Sequence, residues 1–148
     1  MTRRTTAFTL LELVIALAIA ATLAVFAIPA YRSHIARAHR IDAAAALYRA
    51  AQFVESANPD AQRTLPPGLD RAPESGTAVY RLSVLPADAT NGGYAIRAAP
   101  VDPGPMSDDA CGTFVLDATG ARTNRGAGGA GGGGEVAADA VDECWNRR

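Results

Sequence analysis

Hydropathy divides the chain into an apolar front and an alternating back. A short polar leader, Thr2-Arg3-Arg4-Thr5-Thr6, precedes an apolar run from Phe8 to Ile28. Only Thr9, Glu12 and Thr22 interrupt that run, and no Gly or Pro occurs in it before Pro29. As a helix it reaches about 30 Å, enough to span the hydrocarbon core of a bilayer. A cleaved secretory signal is the competing reading, with Val25-Phe26-Ala27 as its small-residue cleavage site. Against it, Glu12 lies inside the apolar region, and the region is longer than a usual signal core. Arg3 and Arg4 precede the span while Arg32, Arg37 and Arg40 follow it, so charge alone does not orient it.

Pro29 lacks an N–H and crowds the preceding turn, which predicts a kink rather than an end. From Ala30 to Ala57 the spacing is again helical. Ile35, Ala38, Ile41, Ala45 and Tyr48 recur in steps of three and four, joined by Leu47, Ala51 and Val54. That stripe predicts one sticky face, with Arg32, Arg37, Arg40 and Arg49 largely off it. Asn58-Pro59 stops the helix.

The period then changes to two. Tyr80, Leu82 and Val84 alternate with Arg81 and Ser83; Tyr94 and Ile96 alternate with Ala95 and Arg97; Phe114 and Leu116 flank Val115. Asn91-Gly92-Gly93 reads as the turn between the first two runs, and Asp117 to Gly120 ends the third. Ala61 to Gly76 reads as a linking loop. The expected fold class is α+β: a long N-terminal helix, half transmembrane and half amphipathic, packed on an antiparallel sheet of three or four strands. The inner face of the sheet is expected to cover the apolar stripe of the stalk helix, Leu47, Ala51 and Val54 included.

Composition adjusts this picture in three places. All basic side chains are Arg, which reads as coding bias towards GC-rich DNA. The net charge of −1 excludes the broad basic surface of a general nucleic-acid binder. From Asn58 onward there are 8 Arg against 12 Asp and Glu, so the later part is acidic. Cys111 and Cys144 fit either one disulfide in an oxidising compartment or two free thiols in the cytosol.

Candidate chemistry is sparse. His34 and His39 are five residues apart, which places them on different helix faces and not at metal-pair spacing. No His lies in the later part to couple with Ser or Cys. Asp108-Asp109 and Asp142-Glu143 read as solvated acidic pairs. A calcium site from Asp88, Asn91 or the Asp102–Asp109 loop is conceivable, but no spacing demands it. The Arg125–Glu135 stretch, RGAGGAGGGGE, lacks the Gly-Lys of a phosphate loop and reads as a mobile surface loop. Trp145 reads as a residue packed on the sheet. Neither a metal nor a cofactor is expected, nor an enzymatic activity.

The segment AFTLLELVIALAIAATLAVFAIPAY resembles the N-terminus of type IV prepilins. The resemblance rests on Phe8, Thr9, Leu10, Glu12, Pro29 and Tyr31. It implies cleavage by prepilin peptidase between Ala7 and Phe8, with N-methylation of Phe8. Ala7 stands where the family usually has Gly, and Ala21 where many members have a helix-loosening Gly. The implied organisation is a leader over 1–7, a transmembrane and assembly helix over 8–29, an amphipathic stalk over 30–57 and a globular head over 58–148. The head then lies outside the cytoplasm, where Cys111 and Cys144 form a disulfide loop of the kind pilins carry. The run CGTFVLDATGAR with the later CW resembles PilE-type minor pilins of type IVa systems in particular.

The resemblance implies a single-pass inner-membrane subunit that joins other pilin subunits on an assembly platform and ends in a surface fibre. Adhesion, twitching motility and DNA uptake are the roles such fibres serve. Glu12 then has a reason. Cleavage creates an ammonium on Phe8, with an ordinary pKa of about 7.7–8, and Glu12 of a neighbour can receive it in a low-dielectric core. Two alternatives stand beside the minor pilin: a type II secretion pseudopilin, and a competence pilin that binds DNA. The second calls for a local cluster of Arg97, Arg122 and Arg125 with Arg147 and Arg148, against the acidic total.

Overall fold

The computed structural model describes residues 8–57, 64–126, 134 and 136–146. Helix α1 runs Leu10–Ser56 and continues through Pro29. Five strands follow: β1 (Arg71–Ala72), β2 (Tyr80–Leu85), β3 (Ala95–Pro100), β4 (Thr113–Asp117) and β5 (Arg122–Arg125). A short helix α2, Ala138–Asn146, ends the described chain. The chain divides into two compact units, residues 1–35 and 36–148.

The first unit is the apolar half of α1. Its large side chains are exposed, among them Phe8, Leu10, Leu11, Leu17 and Phe26. No described residue covers them, and the segment is long and apolar enough to cross a membrane. Pro29 leaves the Val25 carbonyl without its intrahelical donor.

In the second unit the strands form one antiparallel sheet in the order β1-β2-β3-β4-β5. Every neighbour in the sheet is also a neighbour in sequence, so no connection has to cross over another strand. The sheet has five strands where three or four are expected, and the alternation marks only β2, β3 and β4. β1 is only two residues long, too short to show a period. β5 reads Arg-Thr-Asn-Arg and carries no apolar alternation. The expected linking loop Ala61–Gly76 thus contains β1, held by Leu82 N–H donating to Asp70 O at 2.8 Å and Val79 N–H to Ala72 O at 2.8 Å.

The residues that α1 buries in this unit are Ala43, Ala46, Leu47, Ala50 and Val54, all at 2% exposure or less. The expected stripe is therefore split. Its Leu47 and Val54 are buried and Ala51 packs beside them, whereas the expectation is corrected for its Ile35, Ala38, Ile41, Ala45 and Tyr48, which stay exposed. Ile41 and Tyr48 are exposed, at 57% and 44%, and Ala38 and Ala45 lie open beside them. At 100° per residue the two stripes sit on nearly opposite sides of the helix. Both have the right period, because an Ala-rich helix is apolar on more than one side. Packing selects the face of small residues: Ala43, Ala46 and Ala50 let the helix approach the sheet, where Ile41 and Tyr48 would hold it off.

Opposite them the sheet contributes Tyr80, Leu82, Ile96, Ala98, Phe114 and Leu116, all in one buried cluster with Met106 and Leu65. Tyr80 and Phe114 meet edge to face at 5.9 Å, a preferred aromatic geometry. Cys111 and Cys144 form a disulfide with Cα atoms 5.7 Å apart and a sequence separation of 33. Closing such a loop stabilises by about 3–4 kcal/mol in the chain-entropy description. The glycine-rich stretch expected to be mobile lies mostly outside the described residues. Helix α2, which follows it, has no counterpart among the elements that periodicity predicts. It presents Val141, Cys144 and Trp145 on one face, and Trp145 packs on Phe114 at 5.4 Å as expected.

Two loops are tied by carboxylates. Asp88 Oδ1 accepts from Thr90 N–H at 2.8 Å, Thr90 Oγ1 at 2.8 Å and Asn91 N–H at 2.9 Å. Asp117 Oδ1 does the same for Thr119 and Ala121. The two turns touch through Gly92, whose φ is +71° and whose added Cβ would lie 2.8 Å from Thr119 Cγ2. Only glycine satisfies both the left-handed backbone and the close approach there.

Candidate functional site

Strand alternation sorts the sheet side chains by face. Tyr80, Leu82, Ile96, Phe114 and Leu116 point to the helix. Arg81 is paired with Arg71 and with Ala99, Arg97 with Ser83 and Val115, and Arg125 with Thr113. Directly opposed residues in an antiparallel pair share a face. Arg71, Arg81, Arg97 and Arg125 therefore all stand on the face turned away from α1.

Between them lie Ser83, Ala99, Thr113, Val115 and Thr123. These are small, so a flat or convex partner can approach the strands closely. Four strand spacings of about 4.8 Å put Arg71 and Arg125 roughly 19 Å apart across the sheet. Arg97 donates from Nε to Ser83 Oγ at 2.8 Å, which orients its guanidinium along the sheet. Among the described strand positions of this face the one carboxylate is Asp117, and its Oδ1 is already engaged by its own turn.

At the β1 edge, Arg71 and Arg81 are directly opposed like charges, a destabilising arrangement unless screened. Asp70 supplies the screen. Its Oδ1 accepts from Arg71 Nε at 3.1 Å, and its Oδ2 lies 3.7 Å from Arg81 Nη1. Gly68 N–H donates to Oδ1 at 3.0 Å. The Arg71 and Gly68 hydrogen bonds hold the Asp70 carboxyl below its ordinary pKa.

The cluster predicted from sequence is split by the fold. Arg97 and Arg125 are on the outer face, but Arg122 is paired with Leu116 on the opposite one. There its guanidinium lies 5.7 Å from the Tyr48 ring and 5.5 Å from the Trp145 ring. Arg147 and Arg148 lie outside the described residues. Sequence reasoning places Arg81 outward without joining it to the cluster, and it misses Arg71, which sits in an assumed loop. The signal for Arg81 is present in its alternation with Tyr80 and Leu82; Arg71 has none.

Beneath Arg122, Asn124 is fully buried. Its Nδ2 donates to Cys111 O at 2.8 Å, and its Oδ1 accepts from Trp145 Nε1 at 2.7 Å. This residue ties β5 to both ends of the disulfide loop. Asp109, one of the acidic residues considered for calcium, serves the helix instead. Arg40 Nε donates to its Oδ2 at 3.0 Å, and Arg40 Nη2 also meets its Oδ1. Among the described residues, no three His, Cys, Asp or Glu side chains gather as a metal-ligand group.

In the apolar unit, Glu12 and Thr9 bond reciprocally. Thr9 N–H donates to Glu12 Oε2 at 3.1 Å, Thr9 Oγ1 to the same oxygen at 2.9 Å, and Glu12 N–H to Thr9 Oγ1 at 3.3 Å. This is a capping box at the start of α1. Ala7, on the other side of Phe8, lies outside the described residues.

Residues 2–28 match the prokaryotic N-terminal methylation motif. Residues 29–115 match the family described as type IV minor pilin ComP, DNA uptake sequence receptor. No curated protein matches the chain at a significant level. The long N-terminal helix, the antiparallel sheet and the Cys111–Cys144 loop define a type IV pilin. Within that class, the chain belongs to the ComP minor pilin family, whose members are structural subunits.

Proposed function

We propose that this minor pilin is cleaved between Ala7 and Phe8, methylated on Phe8, assembled into a pilus and used there to hold DNA by its phosphates. The observation that carries the DNA reading is the outer sheet face, where Arg71, Arg81, Arg97 and Arg125 stand among small side chains. The acidic total of the later part does not oppose this, because binding responds to the local field and not to the sum. Duplex DNA carries a charge about every 1.7 Å of axis, so a row of arginines roughly 19 Å long meets several phosphates at once.

Assembly uses the other exposed surfaces. The uncovered apolar half of α1 anchors the subunit in the inner membrane before assembly and packs on neighbouring subunits afterwards. The open stripe of Ala38, Ile41, Ala45 and Tyr48 on the second unit is a separate surface for contact with neighbouring subunits. Glu12 receives the new ammonium of a neighbour and sets register. Pro29 provides the kink. The partners are prepilin peptidase, other pilins, the assembly platform and, in the fibre, DNA at the cell surface. Adhesion and twitching motility belong to the fibre as a whole.

Two measurements test this. Mass analysis of the chain co-expressed with a prepilin peptidase should find a product starting at methylated Phe8; a product starting at Ile28 would point to ordinary secretion. Full-length protein in detergent should bind duplex DNA with an affinity that falls steeply with salt. The triple change Arg81→Ala, Arg97→Ala, Arg125→Ala should weaken binding across all sequences. Undiminished binding by that variant refutes the arginine face as the contact.

A further inference from the structure

Two guanidinium groups converge on one carboxylate at the β1 edge. Arg71 and Arg81 are opposed across β1 and β2, and Asp70 lies between them with both oxygens engaged. The Asp70 side chain keeps 28% of its surface exposed, while Arg81 keeps 64%. The group is therefore open to solvent and to a partner. An exposed ion pair of this kind adds little to stability. Its main effect is on what else the two arginines can hold.

We propose that Asp70 is a built-in competitor for a DNA phosphate at the Arg71–Arg81 clamp. This rests on the reading of the outer face as a DNA contact. A carboxylate and a phosphate present the same acceptor geometry to a guanidinium fork. DNA bound across the face brings a phosphate to the clamp, and the Arg71 and Arg81 guanidiniums turn from Asp70 to it. The displaced carboxylate then stands unpaired beside a second anion, so this contact is weaker than those at Arg97 and Arg125. Asp70 thereby limits hold on any single duplex. It also favours binding in which the Arg97 and Arg125 contacts form at the same time, because one phosphate at the clamp gains little alone.

The variant Asp70→Asn tests this. Its amide oxygen still accepts from Gly68 N–H, so the loop keeps its bond while the competing charge is gone. Binding of a fluorescent duplex to full-length protein in detergent should tighten about fivefold at low salt, and log K against log salt should steepen by about 0.9, the increment for one more neutralised phosphate. Asp142→Asn changes net charge equally but sits on α2, so it should move neither quantity by more than a fraction of that. If the wild type binds and Asp70→Asn binds no better, or no better than Asp142→Asn, the competitor role is wrong and the DNA reading stands. If neither wild type nor Asp70→Asn binds duplex at any salt, the DNA reading fails and the clamp proposal with it.

Discussion

Thr9 and Glu12 satisfy each other at the start of α1: the hydroxyl and N–H of Thr9 both donate to Glu12 Oε2, and Thr9 Oγ1 accepts from the Glu12 N–H. A carboxylate within an apolar span is costly, about 2.5–3.5 kcal/mol on insertion scales. The capping box gives one of its oxygens two donors before any neighbour arrives. In the proposed assembly the other oxygen is the one that receives the ammonium of an incoming subunit. Glu12→Val should reduce pilus incorporation to about a tenth or less, the loss expected when the other charge is left unpaired. Thr9→Val should weaken the helix start and give an intermediate loss. Immunoblotting of sheared pili against whole cells measures both, and wild-type incorporation of Glu12→Val would overturn the docking role.

Arg40 and Asp109 join α1 to the segment just before Cys111. The Asp109 side chain is 8% exposed and that of Arg40 24%, so the pair is partly desolvated. Asp109 also accepts from Cys111 N–H at 3.3 Å. Asp109→Ala should cost about 2–3 kcal/mol, since it leaves the half-buried guanidinium without its partner. The double change Arg40→Met, Asp109→Ala should recover part of that loss. Urea denaturation of the four proteins gives the coupling directly.

Opening the disulfide should be the larger loss. Cys111→Ser with Cys144→Ser should lower stability by about 3–4 kcal/mol. Trp145 should report it, because its Nε1 bond to Asn124 Oδ1 lies beside Cys144. A red-shifted Trp emission with full retention of α1 helicity is the expected pattern. Unchanged emission would mean that Asn124 holds Trp145 without the disulfide.

Tyr80 is fully buried, and among the described residues its hydroxyl finds no hydrogen-bond partner. Burial pushes that hydroxyl well above its ordinary pKa. Tyr80→Phe removes an unpaired polar atom and keeps the edge-to-face contact with Phe114. It should raise stability by about 1 kcal/mol, seen as a higher Tm; a clear loss would mean the hydroxyl is satisfied in solution.

The acid limb of stability should follow Asp70 and Asp88. Both are held below their ordinary value of 3.8 by hydrogen bonds made only in the folded chain. Each therefore contributes stability that is fully present above that value and is lost as pH falls through the lower folded pKa. Stability should be level from pH 7 to 5 and fall below about pH 4. Asp88→Asn should flatten part of that fall, and an unchanged acid limb would remove Asp88 from the account.

The sequence by itself determined the long apolar helix, the N-terminal methylation motif and three of the five strands, and together with the pilin resemblance the Cys111–Cys144 pairing. The first three rest on local signals: an apolar run interrupted only by Thr9, Glu12 and Thr22, a short motif or a strict alternation. Tertiary structure alone decided which face of α1 meets the sheet, because Ala38–Ile41–Ala45–Tyr48 and Ala43–Leu47–Ala50–Val54 have the same period and only close packing prefers the smaller side chains. It decided the arginines too. Strand register gathered Arg71, Arg81, Arg97 and Arg125 on one face and sent Arg122 to the other, and no spacing along the chain encodes which strands will lie side by side.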